Sequence, residues 1–463
     1  MSASALFSPE LIQKYDVSGP RYTSYPTAVQ FTPEFDAAAY VRHARENLER
    51  HGDRPLSLYF HLPFCASVCY YCACNKIITN NRRHAADYLE RLFREIGMQA
   101  ALHGGARPVA QLHWGGGTPT FFDEAQMSAL MRVTGEHFTL LGGDAGDYSL
   151  EVDPRTTPPG TIERLRELGF NRISLGVQDF AADVQLAVNR VQSEEETRRV
   201  VDTARATGFR SVSLDLIYGL PHQSLASFDA TLDRVLDIRP DRLSVFNYAH
   251  LPHLFKTQKQ IDAAQLPAAA EKLAILERSI ERLTDAGYVY IGMDHFALPD
   301  DELSRAQRDD TLYRNFQGYS THSNCDLVAM GMSSIGMLTH SYSQNLKEAA
   351  PYYAALDAGR LPIARGVELS EDDRIRRDAI TRLICHFHVG MDAFSKRWNV
   401  DFKDYFAQEL ARLAPLADDG LVDIADDEIT VLPPGRLLIR LVCMTFDKYL
   451  EAPAERTRFS RAI

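Results

Sequence analysis

No apolar run in the 463 residues approaches the ~18 that a membrane-spanning helix needs, so no spanning segment and no membrane partner are expected. Basic residues are in deficit: 50 Lys+Arg against 62 Asp+Glu give a net charge of −12. A chain this acidic repels phosphate backbones at long range, which argues against general nucleic-acid binding and leaves room only for a local basic pocket. Glycine (27) and proline (22) are near average, which excludes collagen-like and low-complexity chains. The opening stretch MSASALFSPELIQKYD has no Lys or Arg before Lys14 and no apolar segment, so no secretory leader is expected and the chain reads as cytoplasmic. Cysteine is scarce too, seven in all. An odd number, four of them crowded between Cys65 and Cys74, reads as metal or redox chemistry in a reducing compartment rather than a disulfide scaffold.

What is present is a soluble globular composition, 45% hydrophobic and 24% charged, in a chain long enough to bury a large core. Its middle alternates two patterns. Short β-rich runs occur at 56–63, 109–116, 148–153, 172–179, 211–220 and 242–250. Stretches with helical spacing of apolar residues lie between them, at 84–104, 123–138, 160–169, 193–208 and 227–239. The strands read as nearly continuous apolar runs, and strict strand–helix alternation implies a parallel sheet covered by helices. Unusual residues sit near the C-terminal ends of successive strands: Cys65, Gly115 to Gly117, Glu151 and Asp153, Gln178, Asp215 and Tyr248. Polar groups gathered from many strand ends point to a barrel mouth, whereas a doubly wound sheet would collect them at one switch point. The expected fold is α/β, a partial (β/α)6 barrel with an N-terminal arm and a mainly helical C-terminal domain. The divisions are 1–50 for the arm and a first helix, 51–344 for the barrel domain and 345–463 for the helical domain.

The cysteines carry the chemistry. CASVCYYC sets Cys65, Cys69 and Cys72 in a C-x3-C-x2-C spacing. Three thiolates need a fourth ligand to complete a tetrahedral zinc; with Cys74 they would make a structural zinc knuckle, although the usual paired C-x2-C spacing is missing. They suit three corners of a cubic iron–sulfur cluster, which leaves one iron open. This loop resembles the signature of the radical S-adenosylmethionine (SAM) superfamily. The longer strings YFHLPFCASVCYYCACNK, SGPRYTSYPT, HWGGGTPT, LEVDPR, GVQDF and DLIYGLP are similar to the oxygen-independent coproporphyrinogen III oxidase family within it. The resemblance implies a 4Fe–4S cluster on Cys65, Cys69 and Cys72. It also implies two SAM molecules, one chelated by the open iron and cleaved to methionine and a 5′-deoxyadenosyl radical.

The resemblance distributes further roles. Gly116 and Glu151 would meet the first SAM. Gly117, Thr118, Gln178, Arg190 and Asp215 would meet the second. Tyr59 and the Tyr71 backbone would contact the SAM molecules, and Ala249 and Ile335 would add apolar contacts. From the residues alone these readings compete with plainer ones: a tight strand exit for the glycines, a solvated strand-end acid for Glu151, a capping amide for Gln178, core packing for the aromatics. Asp215 interrupts an otherwise apolar strand, and a buried carboxylate needs a partner, for which Arg190 is the expected cation. Cys74 is spare once three ligands suffice; by resemblance it separates the oxidase from a related haem chaperone and is the catalytic candidate.

The substrate so implied is a tetrapyrrole with four propionates, which needs basic residues at the pocket rim. Arg21, in the 18–27 arm, is the substrate-binding candidate, with the arm acting as a lid over the barrel mouth. His322, His386 and His388 read as ordinary surface or core residues. The expected partners are the small-molecule tetrapyrrole and an electron donor and acceptor, with no nucleic acid, and the chain is expected to be a monomer. Rival readings are a haem chaperone without decarboxylase activity and an RNA-modifying radical enzyme, the latter disfavoured by the acidic balance.

Overall fold

The computed structural model describes residues 6–15, 17–450 and 459. The start of the stretch read for a leader, residues 1–5, lies outside them. The strand-like runs form β1 (Leu56–Leu62), β2 (Pro108–Gly116), β3 (Asp147–Val152), β4 (Arg172–Gln178), β5 (Ser211–Tyr218) and β6 (Arg242–Asn247). They lie side by side in chain order and all pair in parallel. A helix α1 (Ala37–His51) precedes the sheet. The crossovers carry α2 (Arg83–His103), α3 (Glu124–His137), α4 (Thr161–Glu167), α5 (Glu194–Ala206) and α6 (Leu225–Ile238), and α7 (Ala269–Asp285) follows β6. Capping boxes set three of these starts: Asp123 with Gln126, Ser193 with Glu196 and Ser224 with Ser227 satisfy first-turn N–H groups that have no intrahelical acceptor.

Each barrel strand has two distinct faces, not the continuous apolar character read from the sequence. Leu56, Leu58, Phe60 and Leu62 of β1 are almost wholly buried, as are Tyr148, Leu150 and Val152 of β3 and Val212, Leu214 and Leu216 of β5. They belong to one core shared with helix residues such as Leu92, Ile96, Val200 and Leu232. The alternate positions are polar or small: Ser57, Tyr59 and His61; Ser149 and Glu151; Ser174, Gly176 and Gln178; Ser213 and Asp215. Side chains alternate between faces along a strand, so the outer face packs under the helices and the inner face lines the barrel. The inner polar groups sit in register, with Tyr59 opposite His113, His113 opposite Ser149 and Asp215 opposite Ser244.

The sheet extends past six strands. The run at 288–298 is a hairpin, β7 (Val289–Gly292) and β8 (His295–Ala297), with β8 antiparallel to β6. On the other side β9 (Asp326–Met330) pairs in parallel with β1, and β10 (Ile335–Met337), β11 (Ser341–Asn345) and β12 (Ile363–Glu368) continue antiparallel. The thirteen-stranded sheet therefore runs β7-β8-β6-β5-β4-β3-β2-β1-β9-β10-β11-β12, with a short strand at Thr139–Leu140 paired to β2 off this path. Its last strand ends at Glu368, beyond the expected division at 344. The remainder is mostly helical, beginning with α8 (Glu371–His386) and α9 (Met391–Trp398), and includes a small three-stranded sheet.

The arm is not a loose lid. Tyr22 and Tyr25 are buried in the core of the C-terminal part with Ile380, Leu383 and Phe446. The Tyr22 hydroxyl donates to Asp447 (2.9 Å), the Tyr342 hydroxyl donates to the Tyr25 carbonyl (3.1 Å), and Arg440 Nε donates to the Pro20 carbonyl (3.0 Å). An aromatic-rich segment buries its rings where an apolar surface exists, and here that surface is the C-terminal domain.

Candidate active site

The cysteine loop leaves the C-terminal end of β1 and is tied down along its length. Cys65 closes a two-residue strand, Phe64–Cys65, parallel to Ile77–Ile78. The Asn189 side chain donates to the Val68 carbonyl (2.7 Å), the Tyr70 N–H donates to the Val188 carbonyl (3.0 Å) and Gln258 Nε2 donates to the Tyr71 carbonyl (3.1 Å). Lys76 Nζ donates to the Cys72 carbonyl at 2.9 Å. Gly117 lies directly beneath the loop. Its N–H donates to the Leu62 carbonyl (2.9 Å), and a Cβ there would come within 2.7 Å of the Leu62 and Phe64 carbonyl oxygens. Gly117 thus serves the loop's seating.

Cations and donors surround the sulfurs. Arg155 and Arg190 each place a guanidinium nitrogen 3.6 Å from Cys69 Sγ, and the Thr118 hydroxyl lies 3.5 Å from Cys65 Sγ. Arg190 also pairs with Asp153 (3.2 Å) and donates to the Gly176 carbonyl (2.5 Å). Burial pushes the Cys65 thiol up to about 11, whereas a hydrogen bond from Cys74 and the nearby Lys76 ammonium pull Cys72 down to about 6 despite burial. Among the described residues, no three His, Cys, Asp or Glu side chains converge as a single-ion site would require. Three thiols spread around a loop suit a polynuclear cluster instead, in which each sulfur takes its own iron. The donor set is all-thiol and cation-flanked, which fits that group.

Beside the loop lies a cavity of about 620 Å³ lined by Tyr59, His61, Cys74, His113, Gly116, Glu151 and Ile335 among others. The Tyr59 ring stacks on His113 (centroids 5.8 Å apart), and its hydroxyl sits 3.2 Å from His61 Nδ1. Gly116 takes φ +107°, and a Cβ would sit 2.4 Å from the His61 ring, so only glycine fits. Its N–H donates to Glu151 at 3.1 Å. Burial opposes charge on Glu151, but His113, the Gly116 N–H and His61 hold its carboxyl below the usual range. An ionised carboxylate facing a cavity suits an ammonium group.

A second cavity of about 250 Å³, inside the barrel, shares His113 and Glu151 with the first and reaches Ser174, Asp215 and Ser244. Asp215 does not pair with Arg190 as expected: Arg190 is taken by Asp153, and Asp215 accepts instead from the Ser174 hydroxyl at 3.1 Å. Serine hydroxyls only partly replace a cation, so burial and the Glu151 charge push Asp215 up to about 6. Gln178, at φ +70°, leaves Oε1 buried without a partner, and Arg190 likewise leaves Nε. A buried polar atom without a partner costs free energy unless a ligand or water meets it.

The structure thus brings Tyr59, Cys74, Gly116, Glu151 and Ile335 to one cavity and Asp215 to its neighbour. Thr118 and Arg190 flank the thiols. Ala249 and Arg21 lie apart, on a third cavity of about 490 Å³. Arg21 pairs there with Asp294 and is driven down to about 10 by burial and by Arg314 and Arg440. The histidines set aside in the sequence are accounted for: His322 pairs with Asp147, and His386 and His388 with Asp310. Sequence reasoning missed His61, His113 and Arg155. The first two were visible as polar residues two apart from Tyr59 and Gln111 on strand faces; Arg155 closes the LEVDPR string but was given no role of its own.

Known proteins agree with this geometry. Residues 59–235 match the Radical SAM superfamily model, and residues 369–438 match the HemN C-terminal domain model, just after β12. An oxygen-independent coproporphyrinogen III oxidase of Pseudomonas aeruginosa is 51% identical over 98% of both chains. One of Synechocystis is 46% identical over 99% of this chain and 98% of its own. The solved structure of an Escherichia coli coproporphyrinogen III oxidase, described as a radical SAM enzyme, superposes with a TM-score of 0.92 at 48% identity, covering 96% of this chain and 100% of that one. With that likeness running end to end, this chain belongs to the oxygen-independent coproporphyrinogen III oxidase family of radical SAM enzymes.

Proposed function

We propose that the chain converts the ring A and ring B propionates of coproporphyrinogen III to vinyl groups, giving protoporphyrinogen IX without oxygen. One observation carries this: the segment that follows Cys72, residues 73–75, lines a cavity together with Glu151 and Gly116 from the strand ends, beside the loop of Cys65, Cys69 and Cys72. When bound there, a 4Fe–4S cluster and SAM supply a 5′-deoxyadenosyl radical that takes a hydrogen atom from the propionate β-carbon. Each side chain then loses CO2 and passes one electron to an acceptor, so two propionates require two cycles. Cys65, Cys69 and Cys72 hold the cluster, with Arg155, Arg190 and Thr118 offsetting the charge of their thiolates. Glu151, kept ionised by His113 and the Gly116 N–H, receives the amino group of SAM. The polar atoms left without partners on Gln178 and Arg190, with Asp215 nearby, provide for a second SAM. Arg21 takes a substrate propionate by exchanging Asp294 for it. Cys74, with its thiol pushed well up first of all by its hydrogen bond to Cys72, stays protonated and faces the cavity.

The enzyme acts as a monomer with a separate electron donor and acceptor. We place it in the cytoplasm, where unpaired cysteines and a reducible cluster persist. Among the described residues no helix is long and apolar enough to cross a membrane. The domains divide after Glu368, where the sheet ends.

Anaerobic incubation of cluster-reconstituted protein with SAM, reductant and coproporphyrinogen III tests the proposal. Vinyl product with methionine release is expected. Tight haem binding without turnover would replace it with the chaperone reading. Cys74→Ala should keep the brown cluster absorbance but lose product at least tenfold; full activity would remove Cys74 from the chemistry.

A further inference from the structure

A fourth cavity, of about 420 Å³, lies between the floor of the barrel and the C-terminal helices. Its barrel wall includes Arg54, which precedes β1, and Asp326, which opens β9. The cysteine loop leaves the other end of β1. Seven residues at about 3.3 Å each put the two sites roughly 20 Å apart. The opposite wall is one stripe of α8, in which Arg374, Arg377, Asp378, Thr381 and Arg382 recur at helical spacing, with Arg397 and Trp398 from α9.

The cavity is oversupplied with guanidinium groups. Its acids are already committed. Asp326 is buried and bonded to Arg107 (2.6 Å) and Asn47 (2.7 Å). Asp378 serves Arg382 (3.4 Å), Arg397 (3.3 Å) and the Trp398 indole N–H (2.8 Å). Asp310 is held by His388 at 2.9 Å. Among the described residues, Arg54, Arg374 and Arg377 form no ion pair. Arg54 reaches only the Thr339 hydroxyl (3.0 Å), and Arg377 only the Tyr342 hydroxyl and the Thr339 carbonyl (both 3.3 Å). Arg374 lies over the Trp398 ring at 5.4 Å, and its buried Nε has no acceptor. The uncompensated field extends to His340, where burial and Arg374 drive the imidazole down to about 4. In a chain of net charge −12, gathering unpaired arginines between two domains costs free energy unless something anionic binds there.

We propose that this cavity binds a small oxyanion of two or more negative charges, carboxylate or phosphate, clamped between Arg54 on the barrel and Arg374 and Arg377 on α8. Planar guanidinium forks from different directions match separate acidic groups on one ligand, and the volume suits a small molecule. Because the ligand touches both domains, its binding ties the C-terminal domain to the barrel. The site is independent of the chemistry at the opposite strand ends.

The test is calorimetry on the full-length, cluster-reconstituted protein with SAM saturating and ionic strength matched. Inorganic pyrophosphate and citrate are the probes, so the two arms distinguish phosphate from carboxylate ligands. One equivalent of at least one probe should bind, with a rise in melting temperature. Arg374→Gln should weaken it at least tenfold with the KM for tetrapyrrole unchanged. Absence of binding by both probes up to millimolar concentration would overturn the proposal, as would equal affinity in the variant or displacement by coproporphyrinogen. Should Arg374→Gln fail to fold, arginine-selective modification of the native protein by phenylglyoxal decides. Protection of Arg374 and Arg377 by the bound probe supports the site; unchanged modification rates refute it.

Discussion

Asp215→Asn should make the apoprotein more stable while disabling it, with a pH signature that identifies the cause. Asp215 is surrounded by the barrel interior and answered by serines, and its carboxyl is pushed from 3.8 up to about 6 by burial and by Glu151. A carboxyl raised in the folded state binds its proton more tightly there than in the unfolded chain. Its contribution to stability is therefore intact below about pH 4 and is lost as pH rises toward 6. With those two values the loss is about 1.6 kcal/mol at pH 5 and about 3 kcal/mol above pH 7. Water in the adjoining cavity screens part of this, and the asparagine leaves one amide hydrogen to place, so a net gain of roughly 1–2 kcal/mol at pH 7.5 is expected. For a domain near 300 residues that corresponds to a rise in melting temperature of roughly 1–3 °C. The assay is differential scanning fluorimetry of anaerobic apoprotein, wild type beside variant, from pH 5 to 8. The gain should roughly halve at pH 5, and turnover of the reconstituted variant should fall at least tenfold. A gain independent of pH, or a variant less stable at pH 7.5, would refute the account of Asp215 as a strained, functional carboxylate.

Three further outcomes follow from the site. Gly116→Ala places a Cβ 2.4 Å from the His61 ring at a positive φ, so it should cost about 1–3 kcal/mol in chemical denaturation and abolish SAM binding. Glu151→Gln removes the charge that awaits an ammonium group while leaving the thiols untouched; equilibrium dialysis should show SAM affinity weakened by about 10–100-fold with cluster absorbance unchanged. Arg21→Ala should raise the KM for coproporphyrinogen at least tenfold with little change in SAM cleavage uncoupled from substrate, and an unchanged KM would remove Arg21 from substrate binding.

The order of strands was legible because each repeats one physical unit: a buried outer face, a helix of known cap, a return to the sheet. Ser193 and Ser224, the capping residues of two helices, lie at or within three residues of the expected starts. What misled was the composition of the strands. A parallel strand buried on both faces by helices is apolar throughout, but here one face borders the internal cavities, so Tyr59, His61, His113, Ser149 and Asp215 alternate with Leu58, Phe60, Leu112, Leu150 and Leu214. Period two was in the sequence all along and pointed inward. Strands β9 to β12 were missed because no strand–helix alternation marks them: they follow one another with short connections or a single helix, and β10, β11 and β12 carry the glycine or serine of loop-like segments.

Pairing was less legible than placement. Arg190 and Asp215 belong to neighbouring parts of one site, so a sequence reader joins them as buried opposite charges. The structure joins Arg190 to Asp153 and Cys69, because a guanidinium with several N–H donors gains more from a carboxylate and a sulfur acceptor together than from one acid. Asp215 is thereby left with hydroxyl donors alone, a state that folding stability by itself disfavours. The arm shows the same logic in reverse: Tyr22 and Tyr25 looked like a lid, yet their rings find more apolar contact in the C-terminal core than over an open barrel mouth. Core-directed residues thus go where burial is greatest, whereas Asp215 keeps hydroxyl donors alone and Gln178 and Arg374 keep buried polar atoms that no described neighbour meets.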